Sequence, residues 1–347
     1  MPPTFWMITD RNKTADGLGP HRAKMSFWTS DQPGLDNFNN WTAVTRKQFK
    51  DELIAAGKNF PLILDPAKQE YQKHIAFFVH GFNNDWVAAA RRYESICKNM
   101  FQAEDGLGIC ILFSWPSDGS KLGYYPDRID ARNCAQDLAE VLDDFYNYLI
   151  QKQKDAMTDP AQACRAKFSM IAHSMGNYVF QKAMQLAWTR NNQPMMVSLL
   201  NQGLMVAADV DNDLFKSGEG SDKSDGDAIA NLTYRVSALF TGRDPVLGLS
   251  AGVKHFGKRR LGRSGLDRNY PLPDNVWDVD CSTLFKPDED DIHSGYFKEQ
   301  RTIDLMKKLL RGVDRTVLVT SGATTDHKTN SDLLRFVEDS RDRKEPA

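Results

Sequence analysis

A doubly wound α/β sheet, mostly parallel with helices on both faces, is the fold class the sequence predicts. Two observations predict it. Short, nearly continuous apolar runs recur along the chain at Ile75 to Val79, Ile109 to Phe113, Phe168 to Ala172, Leu204 to Ala208 and Leu232 to Phe240. Helical patterns lie between them. Continuous runs, where a one-sided sheet would alternate, mark strands covered on both faces, and strand–helix alternation makes their sheet parallel.

The elements follow in order. Phe5 to Ile8 and Met25 to Thr29 read as two opening strands joined by a Gly-rich turn, and Thr45 to Ala56 as a helix. After the strand Ile75 to Val79, one of Asn83, Asn84 or Asp85 caps a helix running to about Lys98, because a short polar side chain satisfies the open N–H groups of a helix start. From Ile129 to Leu149, Ala135, Leu138, Val141, Leu142, Phe145 and Leu149 recur at three and four residues and form one amphipathic face. Val276 to Val279 is a late strand, and a last helix spans about Lys298 to Leu310. The polar, glycine-rich stretches Lys216 to Asp227 and Gly257 to Asn269 read as surface loops. With no internal repeat or low-complexity linker, residues 1–340 are expected to form a single domain. Within it, residues 1–70 supply the opening strands and helix, 70–311 the catalytic core and 312–340 a C-terminal extension, before a charged, frayed tail at 341–347.

Composition excludes several classes. The 347 residues are 41% apolar and 26% charged, an ordinary globular balance that buries a full core without staples. A net charge of −2 gives the whole molecule no electrostatic bias toward nucleic acid or anionic membrane. Five scattered cysteines lack metal-ligand spacing and fit free thiols of a reducing compartment. No signal peptide and no membrane-length apolar run is read, so the expectation is a cytoplasmic protein.

The chemistry concentrates at Ala172-His173-Ser174-Met175-Gly176, between a strand and a helix. Small residues two positions either side of a serine allow a strand and a helix to nearly touch, and the sharp turn lifts the hydroxyl out of the sheet. This is the nucleophile elbow, with Ser174 as candidate nucleophile. A serine needs a base, and the base an orienting carboxylate. In the chain order Ser, acid, His, Asp244 follows the Leu232 to Phe240 strand, and His293 lies between the next strand and the last helix. Asp209, at the end of the preceding strand, is the alternative acid, and His327 is the alternative base if Val317 to Val319 is the final strand. His255, only eleven residues past Asp244, leaves no room for an intervening strand. His173 is expected to point away from Ser174 and pack.

An acyl-transfer oxyanion needs backbone N–H donors. Met175, after the nucleophile, supplies one. The turn His80-Gly81-Phe82-Asn83-Asn84, at the end of Ile75 to Val79, presents the Phe82 N–H as the other. His80 and Gly81, with Trp115, Tyr124 and Tyr125 after the next strand, are the expected pocket residues. Ser117 to Asp127 and Lys216 to Asp227 are candidate covers for it. Asp209-Val210-Asp211-Asn212-Asp213 resembles a calcium loop but has Leu214 where a glycine is required and Gly220 where a glutamate is required, so no metal is expected. The basic run Lys258 to Arg263 reads first as a solvated loop and second as an anion site.

At these residues the chain resembles the α/β-hydrolase family of unknown function. The segments that carry the likeness are His80 to Asn83, Ser114 to Ser117, Ala172 to Asn177, Asp209 to Asp211 and His293 to Phe297, the last with an inserted Gly295. It covers about residues 70 to 300, and the tail beyond Arg311 has no counterpart. The resemblance implies the α/β-hydrolase fold with Ser174 and His293 in a triad, supports Asp244 less directly, and implies no substrate. The expected function is a serine hydrolase cleaving a small-molecule or lipid carboxylic ester without metal or cofactor. The alternatives are an acyltransferase or thioesterase on the same residues, or a non-catalytic binding relative.

Overall fold

The computed structural model describes residues 3–117, 124–190, 198–216, 223–255, 257–286, 291–314, 317–318, 323–325 and 333–336. The chain opens with β1 (Phe5–Thr14), β2 (Gly17–Ser30), β3 (Thr42–Val44) and α1 (Arg46–Lys58). Then come β4 (His74–Val79), α2 (Trp86–Ile96), β5 (Gly108–Ser114), α3 (Tyr124–Thr158), β6 (Lys167–His173), α4 (Gly176–Arg190) and β7 (Leu200–Val206). The later elements are α5 (Lys223–Leu232), β8 (Thr233–Phe240), α6 (Pro245–Leu249), α7 (Leu261–Ser264), β9 (Val276–Asp280), α8 (Ile292–Gly295), α9 (Gln300–Leu310), β10 (Ala323–Thr325) and β11 (Leu333–Phe336).

All the described strands form one sheet in the order β10-β11-β9-β8-β7-β6-β4-β5-β1-β2-β3. Pairing is parallel from β1 through β5, β4, β6, β7, β8 and β9 to β11, and antiparallel at the two edges. β4 shows why its sequence is continuously apolar. Every residue of it is buried, and alternate side chains enter different cores. Ile75, Phe77 and Val79 join a cluster with α1, α3, α4 and α5, whereas Ala76 and Phe78 join one with α2 and α9. Helices thus cover both faces. No described helix is long and apolar enough to cross a membrane.

Local chemistry sets the helix starts. Thr45 and Gln48 form a reciprocal capping box at α1. Of the three candidate caps for α2, Asp85 is the one used, accepting from Ala88 N at 2.7 Å. α3 is longer than its apolar stripe, with 35 residues, because its last turns project polar residues into solvent.

Three expectations need correction, and the alternative that rested on Val317 to Val319 loses its condition. The opening strands are one long hairpin. β1 and β2 continue through the mostly polar stretch Arg11 to Arg22, which pairs with irregular register around a turn and in which Leu18 is a lone buried apolar residue. The stretch Lys216 to Asp227 is not all loop, because α5 begins at Lys223. Within Gly257 to Asn269, α7 forms and Arg260 is fully buried. Val317 and Leu318 are helical instead of extended, and the strand beside β9 is β11.

Asp10, in β1, is buried with Arg22 Nε 3.7 Å away. Burial pushes its carboxyl up to about 7. Between its unfolded value near 4 and about 7, the folded chain holds a proton that the unfolded chain has released, so stability falls as pH rises through that window. The stability of Asp10→Asn relative to wild type should therefore climb between pH 4 and 7 by up to about 4 kcal/mol. Urea unfolding at several pH values measures it, and a pH-independent difference contradicts it.

Candidate active site

β6 leads into Ser174, whose φ of 52° places a non-glycine residue in the left-handed region. The turn is held from several sides. Ser174 N donates to Val206 O at 3.0 Å, and Ser174 O accepts from Asp209 N at 3.1 Å. The Asn177 amide donates to Ala172 O and Ser174 O at 2.9 and 3.1 Å. Both nearby glycines answer to close approach. A Cβ on Gly176 would lie 2.5 Å from the carbonyl oxygens of Val79 and His80, and one on Gly81 would lie 2.6 Å from Ser174 Cβ. The end of β4 and the elbow therefore press directly on each other.

Two later segments bring in an acid and a histidine. Asp244 is fully buried at the N-cap of α6, where one carboxylate oxygen accepts from Leu247 N at 3.0 Å. The other lies 2.7 Å from His293 Nδ1, in α8. This pairing leaves Nε2 as the free end of the imidazole axis. The Arg263 guanidinium donates to Asp244 O and anchors the same cap.

His173 ties His293 to the elbow. Its Nε2–H donates to His293 O at 2.9 Å, and the two rings lie 4.9 Å apart. Arg92 NH1 donates to His173 Nδ1 at 3.3 Å and NH2 to Ser294 Oγ at 2.9 Å. A guanidinium only donates and a carbonyl only accepts, so these partners assign the Nε2–H tautomer. Burial, and secondarily the Arg92 charge, holds His173 well below the ordinary histidine range, hence neutral. His173 packs, as expected, but as a hydrogen-bonded spacer. Arg92 was invisible to sequence reasoning, one of two adjacent arginines on a helix with nothing in the pattern to distinguish it.

The turn after β4 is equally pinned. Trp115 Nε1 donates to His80 O at 2.8 Å, and its ring stacks on His80 at 5.3 Å. His80 Nδ1–H donates to Gly81 O at 2.9 Å, and burial lowers this imidazole to about 3, so it too is neutral. The Asn84 amide donates to Gly81 O and Phe82 O at 3.0 and 2.9 Å. Beneath lies Arg11, which donates to Ser114 Oγ, Ser117 O and Asn84 O at 3.0, 3.2 and 2.9 Å. Burial lowers its guanidinium to about 10, leaving it charged at neutral pH. Arg11 was also missed, because it sits in the polar half of a strand. The turn leaves Phe82 half-buried beside the elbow, and Met175 stands just before α4, where N–H groups lack intrahelical acceptors.

The remaining candidates fall elsewhere. His80 and Trp115 were expected to line the pocket, but both are fully buried and back the turn instead. Asp209 Oδ1 accepts from Arg260 Nε and Ser250 Oγ, each at 2.8 Å, so its carboxylate faces a buried guanidinium. Arg260 also donates to Asp211, and Lys258 pairs with Asp211 at 3.1 Å, which ties the basic run to the acid-rich segment. His255 follows the turn after α6, and burial lowers it to about 4. His327, the side chains of Tyr124 and Tyr125, and residues 118–123 and 217–222 of the candidate covering loops lie outside the described residues. Among the described residues, no group of three or more His, Cys, Asp or Glu is placed to hold a metal ion.

No curated protein matches the chain. Among solved structures, an esterase from the archaeon Pyrobaculum calidifontis aligns at 11% identity over 77% of this chain and 92% of that one, with a TM-score of 0.35. Carboxyl esterase 2 from the fungus Tuber melanosporum aligns at 9% identity over 89% and 91%, with a TM-score of 0.34. A putative cell surface hydrolase from Lactobacillus plantarum aligns at 9% identity over 72% and 96%, with a TM-score of 0.32. The family assignment rests on a different finding. Residues 62–310 match the family model described as an alpha/beta hydrolase of unknown function (DUF900), and that span covers most of the chain and every segment of the site outside β1. The protein belongs to this α/β-hydrolase family.

Proposed function

We propose that the protein is a serine hydrolase that cleaves carboxylic esters through an acyl-enzyme. The observation that carries the reading is the 2.7 Å contact of buried Asp244 with His293 Nδ1, on a histidine hydrogen-bonded to the residue before left-handed Ser174. Ser174 Oγ attacks the acyl carbon. His293 Nε2 takes its proton and returns it to the departing alkoxide, and Asp244 holds the ring in the Nδ1–H tautomer and balances the imidazolium. The N–H groups of Phe82 and Met175 receive the oxyanion, each donor contributing about 3 kcal/mol in the transition state. Water, activated by the same imidazole, then releases the acid. Arg92 and His173 keep the His293 segment against the elbow, and Arg11 keeps the oxyanion turn in place.

A fluorophosphonate probe tests the first step. Wild-type protein should label and Ser174→Ala should not, and equal labelling of both contradicts the proposal. The two acids separate cleanly. Asp244→Asn should lower kcat on p-nitrophenyl esters by about 10⁴ by imposing the wrong tautomer. Asp209→Asn, compared per folded molecule by circular dichroism, should keep kcat within a few-fold. The opposite ranking transfers the role to Asp209. His173→Phe removes one neutral hydrogen bond to the His293 segment and should lower kcat about ten-fold with KM unmoved. An unchanged kcat restricts His173 to packing.

A further inference from the structure

A cavity of about 380 Å³ lies between α1, α3 and the sheet, well away from Ser174. Its floor includes Ile75 and Phe168, near the starts of β4 and β6. Ser174 follows the other end of β6, so about 20 Å of strand separates the two places. The volume is within the range of small-molecule sites, and the wall is mostly apolar, with Ile8, Phe49, Leu53 and Phe145 joining the two strand residues.

The charges around it are one-sided. Arg46, Lys50, Lys58, Lys152 and Arg165 line the cavity against a single acid, Asp144. Arg46 is paired with Asp144 and Glu140, and Lys152 with Asp155. Lys50 and Lys58 are exposed and form no ion pair among the described residues, and Arg165 bonds the backbone carbonyls of Lys58 and Phe60 instead of a carboxylate. Among the described residues, three cations at an apolar cavity thus have no carboxylate counter-charge. Tyr148 adds a phenol, which burial pushes up to about 12 and keeps as an O–H donor.

We propose that this cavity binds a single-chain amphiphile with an anionic head, an alkyl carboxylate, at a site separate from Ser174. The chain lies on Phe49, Leu53, Ile75 and Phe168, out of water. The carboxylate sits at the mouth, where Lys50, Lys58 and Arg165 supply the missing counter-charge. A neutral chain of the same length forgoes that pairing, and a cationic one meets repulsion. The site stands whether or not Ser174 is a nucleophile.

Isothermal titration calorimetry below the micelle threshold tests this with octanoate, decanoate, dodecanoate, dodecanol and dodecylammonium. Carboxylate affinity should rise about four-fold per methylene, as expected for a chain leaving water. Dodecanoate should bind at least ten-fold tighter than dodecanol and dodecylammonium. Lys50→Glu, at an exposed position that leaves the core alone, should weaken dodecanoate about ten-fold. Ile54→Trp, which fills the half-buried wall, should abolish binding. Ser174→Ala protein should bind as wild type does, because the two sites are distinct. Equal binding of dodecanol and dodecanoate, insensitivity to both cavity variants, or loss of binding in Ser174→Ala overturns the proposal.

Discussion

The contact between the end of β4 and the elbow after β6 is the constraint on which the site depends. Gly81 and Gly176 mark it from opposite sides, since a single added carbon at either would meet Ser174 or the carbonyls of Val79 and His80 at 2.5–2.6 Å. Because those atoms are close, the backbone following β4 passes directly beside the Ser174 side chain. A left-handed serine, normally a strained residue, is tolerated because Val206, Asp209 and Asn177 bond its backbone and neighbours from three directions.

Around that contact, buried charge does the positioning. Arg11 reaches from the polar half of β1 to the turns after β4 and β5. Arg92 reaches from α2 to His173 and Ser294. Removing a guanidinium from water is costly, and each is retained where it satisfies acceptors that would otherwise be orphaned: carbonyls and a hydroxyl for Arg11, an imidazole nitrogen and a hydroxyl for Arg92. The same logic separates the two acids at the ends of β7 and β8. Asp209 is committed to Arg260, while among the described residues the Asp244 carboxylate meets the Leu247 N–H and His293. A carboxylate facing a permanent cation is poorly placed to answer a histidine that becomes charged, whereas Asp244 has that role open to it.

The sheet centre and the elbow were legible in the sequence for two reasons. Burial on both faces leaves no polar residue to interrupt β4 or β6, and a serine with small flanks between a strand and a helix is the pattern a sharp elbow requires. Asp244 was legible mainly through strand counting and His293 through strand counting and the family resemblance, and their contact at 2.7 Å depends on loops that carry no periodicity. The long hairpin was not legible. Its outer half pairs Arg11 with Arg22, Lys13 with Leu18 and Thr14 with Gly17 in irregular register, where hydropathy says almost nothing. Arg11, Arg92 and Arg260 escaped for a shared reason, namely that an arginine drawn inward by acceptors distant in sequence looks like any surface arginine. The apolar cavity was equally hidden, because Phe49, Leu53, Phe145 and Phe168 read as core and only their spacing in three dimensions leaves a void.

The central claim is that an acyl group passes through Ser174. Acid quench of the protein within milliseconds of mixing with a p-nitrophenyl ester, followed by peptide mass mapping, tests it most directly. The account predicts a burst of p-nitrophenolate and an acyl group on the peptide bearing Ser174, lost at the rate of steady-state turnover. Turnover without a burst or a Ser174 adduct, or an adduct on another residue, would contradict it.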